Sequence, residues 1–411
     1  MLELVLHYRR TSRHALNVLW GAVEVTPATS RVRCTAADGP EALPGIVDGA
    51  LVSGRLPVVA WSFYTASFAE VARELAGVRA RTAPGAIHIA GGPHASAAPE
   101  DALRAGFDVA VIGEAEETLP ALLARLEAGA PWNTVPGLAW LEAGAVRRSP
   151  RAPAVELNAF PPCAPRAQRI GPLEITRGCV WACRFCQTPF LFRARFRHRS
   201  LAEVRRWVRF HREIATRDIR FLSPSALSYG SSGAGCQLDA VEALLAGARE
   251  EAGPDRRLFF GSFPSELRPE HVSVRALSLI RRWCDNRTII LGAQSGSERM
   301  LAAMGRGHGA LDVERAAALC VEAGFRTSVD VVIGLPGEEE ADRAATRALV
   351  ERLGALGARV HAHAFMPLPG SPWANEPPGA VDEATRGLLE RMESGGAAHG
   401  QWRRQRAMRA C

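Results

Sequence analysis

The chain has 411 residues, 47% hydrophobic and 23% charged, which excludes a disordered or collagen-like chain and leaves room for two or three domains. Its net charge is +7 and all 50 basic residues are Arg, so neither a Schiff-base nor a P-loop lysine is available. No run of about 18 apolar residues occurs and the start, MLELVLHYRRTSR, lacks a secretory cleavage site, so a soluble, cytoplasmic protein is expected.

In chain order, Leu2 to His7 reads as a strand, and Ser12 is placed to cap a helix running to Glu24. Strands are expected at Arg31–Thr35, Pro57–Tyr64, Ala86–Ala90 and Asp108–Ile112, and helices at Ser67–Arg81, Pro99–Ala105 and Thr118–Ala128. Strands alternating with helices imply a parallel, doubly wound, Rossmann-like sheet over 1–150. PGLAWLEAGAVRRSP reads as a hairpin, and the Pro-rich stretch 151–170 as a linker.

The alternation then resumes. Strands are expected at Leu173–Thr176, Ile219–Ser223, Leu258–Gly261, Thr288–Ala293, Ser328–Ile333 and Arg359–Phe365. Helices separate them at Leu201–Thr216, Leu238–Ala252, Ser273–Cys284, Leu311–Ala323 and Glu339–Leu356. Such βα units fit a partial (β/α) barrel over 171–375, followed by a helix and a basic tail over 376–411.

Nine cysteines without a secretory signal argue against a disulfide framework. Cys34, Cys163, Cys236, Cys284, Cys320 and Cys411 are scattered, whereas Cys179, Cys183 and Cys186 form a C-x3-C-x2-C loop after the first barrel strand. Barrel active sites are built at strand carboxyl ends. Three thiolates in a compact loop can hold three irons of a 4Fe–4S cluster and leave the fourth open to a small molecule. A structural zinc would want a fourth protein ligand, and neither His198 nor Cys163 lies at finger spacing.

This loop, with Phe185 before its last Cys, resembles the radical S-adenosylmethionine (SAM) superfamily. FGSFPSELRPE (260–270), LGAQSGSERML (291–301), VDVVIGLPGE (329–338) and HAFMPLPGSPW (363–373) are similar to later strand-end motifs of its cobalamin-associated branch. AGGPHASAAPEDALRAGFDVAVIGEAEETLPALL (90–123) resembles the cobalamin-binding domain fused to such barrels. The resemblance implies that Cys179, Cys183 and Cys186 hold the cluster and that SAM chelates its free iron. One electron, from a donor such as flavodoxin or ferredoxin, would then release a 5′-deoxyadenosyl radical. It also assigns SAM contacts to Glu266, Gln294 and Ser295, and the adenine side to Gly334, Leu335 and Pro336. Where many members carry a Gly-Gly-Glu-like turn, this chain has Ser223-Pro224-Ser225, which leaves the SAM amino group to Ser hydroxyls such as that of Ser223 or to backbone carbonyls.

In the first domain, ligands of a parallel sheet lie beyond the strand carboxyl ends. Ser62, Thr65, Gly91, Gly92, Gly113 and Glu114 mark those ends as the cobalamin-contacting positions. No D-x-H-x-x-G turn is present, and His88 reads as a packed strand residue, so cobalamin is expected without histidine ligation from that motif. The Arg run RARFRHRS (193–200), continuing to Arg205, Arg206 and Arg209, reads as a solvated helix start in preference to an anion clamp. The whole pattern implies a cobalamin-dependent radical SAM enzyme methylating an unactivated carbon (or phosphorus) of a small molecule. Alternatives are a non-methylating radical rearrangement or oxidation, a tRNA methylthiotransferase-like activity, and a structural-metal binding module. Nucleic acid is not the expected partner, because no binding module is recognisable.

Overall fold

The computed structural model describes residues 1–408; Cys411 lies outside the described residues. The chain divides into two compact units, one ending at Gly171 and the other beginning at Pro172.

The first unit opens with β1 (Leu2–Tyr8), α1 (Arg13–Val25), β2 (Arg33–Asp38), α2 (Leu43–Val52), β3 (Leu56–Ser62) and α3 (Phe68–Arg81). It continues through β4 (Ile87–Gly91), α4 (Pro93–Ala97), α5 (Pro99–Arg104), β5 (Val109–Val111) and α6 (Thr118–Glu127) to a hairpin, β6 (Leu138–Glu142) and β7 (Ala145–Arg148). The sheet runs β2-β1-β3-β4-β5-β6-β7. Its first five strands are parallel, and β6 and β7 are antiparallel. Because side chains alternate along a strand, Val5, Val59 and Trp61 enter the core on one face, and Leu4, Leu6 and Val58 the core on the other. Strand order reverses between β1 and β3, the switch point where such sheets take ligands.

Three details differ from the sequence reading. Helix α2 was not foreseen; a Pro in its first turn starts it. Ser12 precedes α1 but makes no side-chain cap, because its Oγ accepts from the Arg9 N–H at 3.1 Å. The Pro-rich stretch 151–170 belongs to the first unit and is tied to its helix α1. The N–H groups of Arg166 and Ala167 each donate to the Glu24 carboxylate at 2.9 Å. Helix α1 approaches so closely that a Cβ at Gly21 would lie 1.9 Å from the Cys163 carbonyl oxygen.

The second unit begins with the short β8 (Leu173–Glu174), β9 (Thr176–Arg177), α7 (Thr188–Leu191) and β10 (Arg197–His198). Then come α8 (Leu201–Glu213), β11 (Asp218–Leu222), α9 (Leu238–Ala252), β12 (Arg257–Phe259), α10 (Val274–Trp283), β13 (Thr288–Gln294), α11 (Glu298–Ala303) and α12 (Ala310–Glu322). The unit closes with β14 (Arg326–Ile333), α13 (Glu340–Ala355), β15 (Arg359–Ala364), α14 (Glu383–Ser394), β16 (Ala398–Gly400) and α15 (Trp402–Ala407). Strands β8, β11 and β12 pair in parallel, as do β13, β14, β15 and β16. Between the two groups, Leu267 bridges Leu291, and the Leu267 N–H donates to the Ile290 carbonyl at 2.8 Å. The result is an open arc of parallel strands with intervening helices, the partial-barrel layout expected. Strand β16 was not foreseen: it is three residues long and ends at Gly400, where a Cβ would meet the Ala362 carbonyl oxygen at 2.0 Å.

The arginines of α8 are structural. Arg205 and Arg209 each make two hydrogen bonds of 2.8–3.0 Å to the Glu251 carboxylate of α9, and Arg206 lies over the Trp207 ring. No described helix is long and apolar enough to cross a membrane.

Candidate active site

The C-x3-C-x2-C loop leaves β9 through Gly178, whose φ is +82°. It is held by the Arg184 N–H donating to the Met304 carbonyl at 2.9 Å and the Trp373 N–H donating to the Arg184 carbonyl at 3.1 Å. Trp181 packs where Gly307 makes room; a Cβ there would lie 2.4 Å from the ring. The Arg268 guanidinium covers that ring at 3.6 Å from its centroid, a cation–π contact that fixes the loop. Phe185 packs against the buried apolar cluster that includes Met304, Leu335, Phe365 and Trp373.

All three cysteines face one cavity of about 450 Å³, lined also by Glu266, Arg268, Gln294, Arg306, Asp330 and His363. All three are free thiols. Burial pushes the Cys179 thiol up to about 11 and raises Cys186, so ionisation here waits on a cation. A single tetrahedral ion would need sulfurs about 3.8 Å apart, given bonds of ~2.3 Å. Among the described residues, however, the only trio of metal-ligating side chains converging within 4.8 Å is another one. Three wider-set thiols suit a multi-iron cluster better than one zinc.

Behind the sulfurs lies a buried cation. Arg306 donates through Nη1 to Cys183 Sγ at 3.8 Å and through Nη2 to the Gly292 carbonyl at 2.6 Å, with Glu266 Oε1 3.8 Å away. Burial pushes the Glu266 carboxyl up, against the pull of Arg306. Burial would likewise raise Glu270, but its bond to His308 and its pairing with Arg268 outweigh it and hold the carboxyl at about 2. A Cβ at Gly292 would lie 2.4 Å from Arg306 Nη2 and 2.8 Å from Gln294 Nε2, so any larger residue there would push both side-chain tips out of place. Gln294 sits at a register shift in β13 with φ +73°, a left-handed conformation that costs a non-glycine residue about 1–2 kcal/mol.

Of the residues expected at strand ends, Cys179, Cys183, Cys186, Glu266 and Gln294 share the cavity. Ser223, Ser295, Gly334 and Leu335 stand outside its lining. Ser223 Oγ donates to the Ser225 carbonyl at 2.9 Å, and Pro224 reaches the cavity in its place. Ser295 Oγ pairs with Thr346 Oγ1 at 3.1 Å. Leu335 is fully buried, and Gly334 lies against Gly379, whose carbonyl oxygen would be 3.0 Å from a Cβ. Sequence reasoning assigned no role to Arg268, Arg306, Asp330, His363 or Gln405, although Arg268, Asp330 and His363 lie inside the strand-end motifs and glycines flank Arg306.

In the GLPGE turn, burial pushes the Glu338 carboxyl up to about 7, against the bond it accepts from the Leu335 N–H. The folded state therefore binds this proton more tightly than the unfolded chain, and stability falls as pH rises from the ordinary carboxyl range through about 7. Glu338→Gln should flatten that slope and be the more stable protein at about pH 8, by on the order of 1–2 kcal/mol. Chemical denaturation at several pH values checks this; parallel slopes for the two proteins would contradict it.

In the first unit, Ser62, Gly91, Gly92 and Gly113 line a hollow of about 40 Å³ at the strand carboxyl ends. Gly113 has φ +87° and only open space where a Cβ would stand. Thr65 and Glu114 lie outside this lining: Thr65 Oγ1 pairs with His94 Nδ1 at 3.2 Å, and Glu114 accepts from the Val155 N–H at 3.3 Å. His94 stacks on Phe68. His88 is buried as expected and accepts from Trp61 Nε1 at 3.2 Å; burial lowers its pKa to about 4. Neither imidazole lines the hollow.

Residues 173–350 match the model of the radical SAM superfamily, and residues 31–123 that of the B12 binding domain. A tRNA-2-methylthio-N(6)-dimethylallyladenosine synthase of Saccharophagus degradans is 30% identical over 230 residues, 54% of this chain and 48% of that protein. An uncharacterised protein of Methanopyrus kandleri is 27% identical over 72% of this chain and 64% of its own length. The chain spans about half the length of most of these curated relatives. Among solved structures, the radical SAM methyltransferase TsrM of Kitasatospora setae, with cobalamin and a 4Fe–4S cluster bound, superposes with a TM-score of 0.69 at 18% identity, covering 90% of this chain and 76% of TsrM. The cobalamin-dependent SAM radical enzyme OxsB gives 0.65 at 14% identity over 95% of this chain and 55% of OxsB.

Proposed function

From a chain in which a B12 binding domain precedes a radical SAM superfamily domain, we infer a cobalamin-dependent radical SAM enzyme that methylates an unactivated carbon (or phosphorus) of a small molecule. The observation that carries this is the single cavity onto which three free thiols open together with Glu266 and Gln294, in a chain that also offers a glycine-lined hollow at the strand carboxyl ends of its first sheet.

When bound, the cluster and SAM supply a 5′-deoxyadenosyl radical, and the corrinoid carries the methyl group. Cys179, Cys183 and Cys186 would hold three irons, leaving one corner to SAM. Glu266 and the Gln294 amide would accept and donate hydrogen bonds to SAM's polar groups. Val332, Phe365 and Leu368, also on the cavity wall, would keep bulk water out and so strengthen the polar contacts made inside. Arg306 holds a fixed positive charge behind Cys183. In the first unit, Gly91 and Gly113 would let a corrin lie close to the backbone, with Ser62 offering a hydroxyl at the same hollow. An external reductant such as flavodoxin or ferredoxin would deliver the electron.

Anaerobic incubation of iron-loaded, cobalamin-supplemented protein with SAM, a reductant and candidate metabolites tests this. S-adenosylhomocysteine appearing in step with 5′-deoxyadenosine is the expected result; 5′-deoxyadenosine alone would leave a rearrangement or oxidation. The 30% identity to a tRNA methylthio-synthase favours one second reading, sulfur-bearing methylation of tRNA, which the same assay detects as methylthio-nucleoside in added tRNA.

A further inference from the structure

His361 and His363 stand two residues apart on β15, so both project from one face of the strand. Asp330 of β14 is in register with His361. One ligand atom from each lies within 4.8 Å of the other two, the only such trio among the described residues. Asp330 Oδ1 and His361 Nδ1 are 3.0 Å apart, and the two imidazoles meet edge-on with centroids 4.2 Å apart. Asp330 and His363 line the cavity. His399 of β16 stacks flat on His361 at 4.6 Å, bracing that ring. Gln405 stands beside His363, its Oε1 accepting from the Ala364 N–H at 2.8 Å and its amide nitrogen 3.4 Å from His363 Nδ1.

We propose that Asp330, His361 and His363 bind a first-row divalent cation on the cavity wall, as a second metal site separate from the cysteine loop. Two imidazoles and one carboxylate bind such an ion from one side and leave further positions open. Bonds of about 2.0–2.1 Å put ligand atoms roughly 3.3 Å apart in a tetrahedron. The Asp330–His361 pair is already near that spacing at 3.0 Å, and a His363 nitrogen lies within 4.8 Å of both. Because Asp330 and His363 line the cavity, a substrate there bearing carboxylate or hydroxyl oxygens would complete the coordination. The site stands on β14 and β15 alone and holds whether or not methyl transfer occurs.

The test uses the full-length protein with its thiols first filled by anaerobic iron and sulfide. After equilibration with Zn2+ and gel filtration, one zinc per chain beyond the iron is expected. His361→Gln and His363→Ala should each weaken zinc binding at least about tenfold while iron per chain stays at the wild-type level; the conservative His361→Gln guards against misfolding. Co2+ in place of Zn2+ should give visible d–d bands without thiolate-to-cobalt charge transfer. No retained zinc in iron-loaded wild type, unchanged zinc in iron-replete His361→Gln, or a thiolate signature in the cobalt spectrum of iron-replete protein would each overturn the site. Failure to load iron would count against the cluster alone; the site is then read from the metal lost in His361→Gln and His363→Ala, which leave the thiols in place.

Discussion

Alanine at Cys183 is expected to leave a folded protein that no longer carries iron, with reductive SAM cleavage down by about a thousandfold or more. Cys183 is the most enclosed of the three thiols, 5% exposed, and its sulfur lies between Arg306 Nη1 at 3.8 Å and the Gly305 carbonyl at 3.9 Å. A cluster deprived of one of three thiolates finds no fourth thiol on the cavity wall to replace it. The cost to folding should be far smaller, about 1–3 kcal/mol, since the change removes one atom and leaves one Arg306 N–H without its sulfur. Iron per chain, the brown absorbance and 5′-deoxyadenosine yield measure the first effect, and thermal unfolding the second. Wild-type iron and cleavage in Cys183→Ala would remove the basis for assigning the loop.

A second large effect is expected one residue before the loop, without touching a thiol. Gly178 has φ +82°, and a Cβ there would lie 2.1 Å from the Arg195 carbonyl oxygen and 3.3 Å from Phe192 Cβ. The obstacle is backbone, which cannot swing aside as a side-chain tip can. Gly178→Ala therefore combines left-handed strain of about 1–2 kcal/mol with a steric shift of the strand-to-loop junction. We expect a loss of about 3 kcal/mol or more in stability and iron loading reduced to a minor fraction. Denaturant titration and iron analysis check both. Full iron in a stable Gly178→Ala protein would mean that the thiols do not depend on this junction.

The sequence was most legible where chemistry and period agree. Alternating apolar runs marked nearly every strand, and the spacing of Cys179, Cys183 and Cys186 marked the loop that does open on the cavity. It was less legible where position along a strand had to stand in for direction. Ser223 and Ser295 occupy strand ends as anticipated, yet their hydroxyls are taken by Ser225 and Thr346. Arg306 and Arg268 carry the charge behind the sulfurs but follow no periodic pattern, because each is placed by a turn and a carbonyl. The His361–His363 pair was visible as His-x-His, but only the register with Asp330 makes it a cluster. The Pro-rich stretch looked like a spacer because its partners, among them Glu24, lie about 140 residues earlier in the chain.

The kink at Gln294 separates what helps the fold from what helps the cavity. Glycine, usually a poor strand residue, would relax the backbone there, whereas every other side chain inherits the same torsional penalty. On the role proposed above, the Gln294 amide serves SAM, and its backbone strain is a cost to folding that this role sets against. Random drift screened only for thermal robustness would pull residue 294 toward glycine, and screening for turnover would pull it back. A library at this one codon, sorted both ways, would separate those opposing pressures.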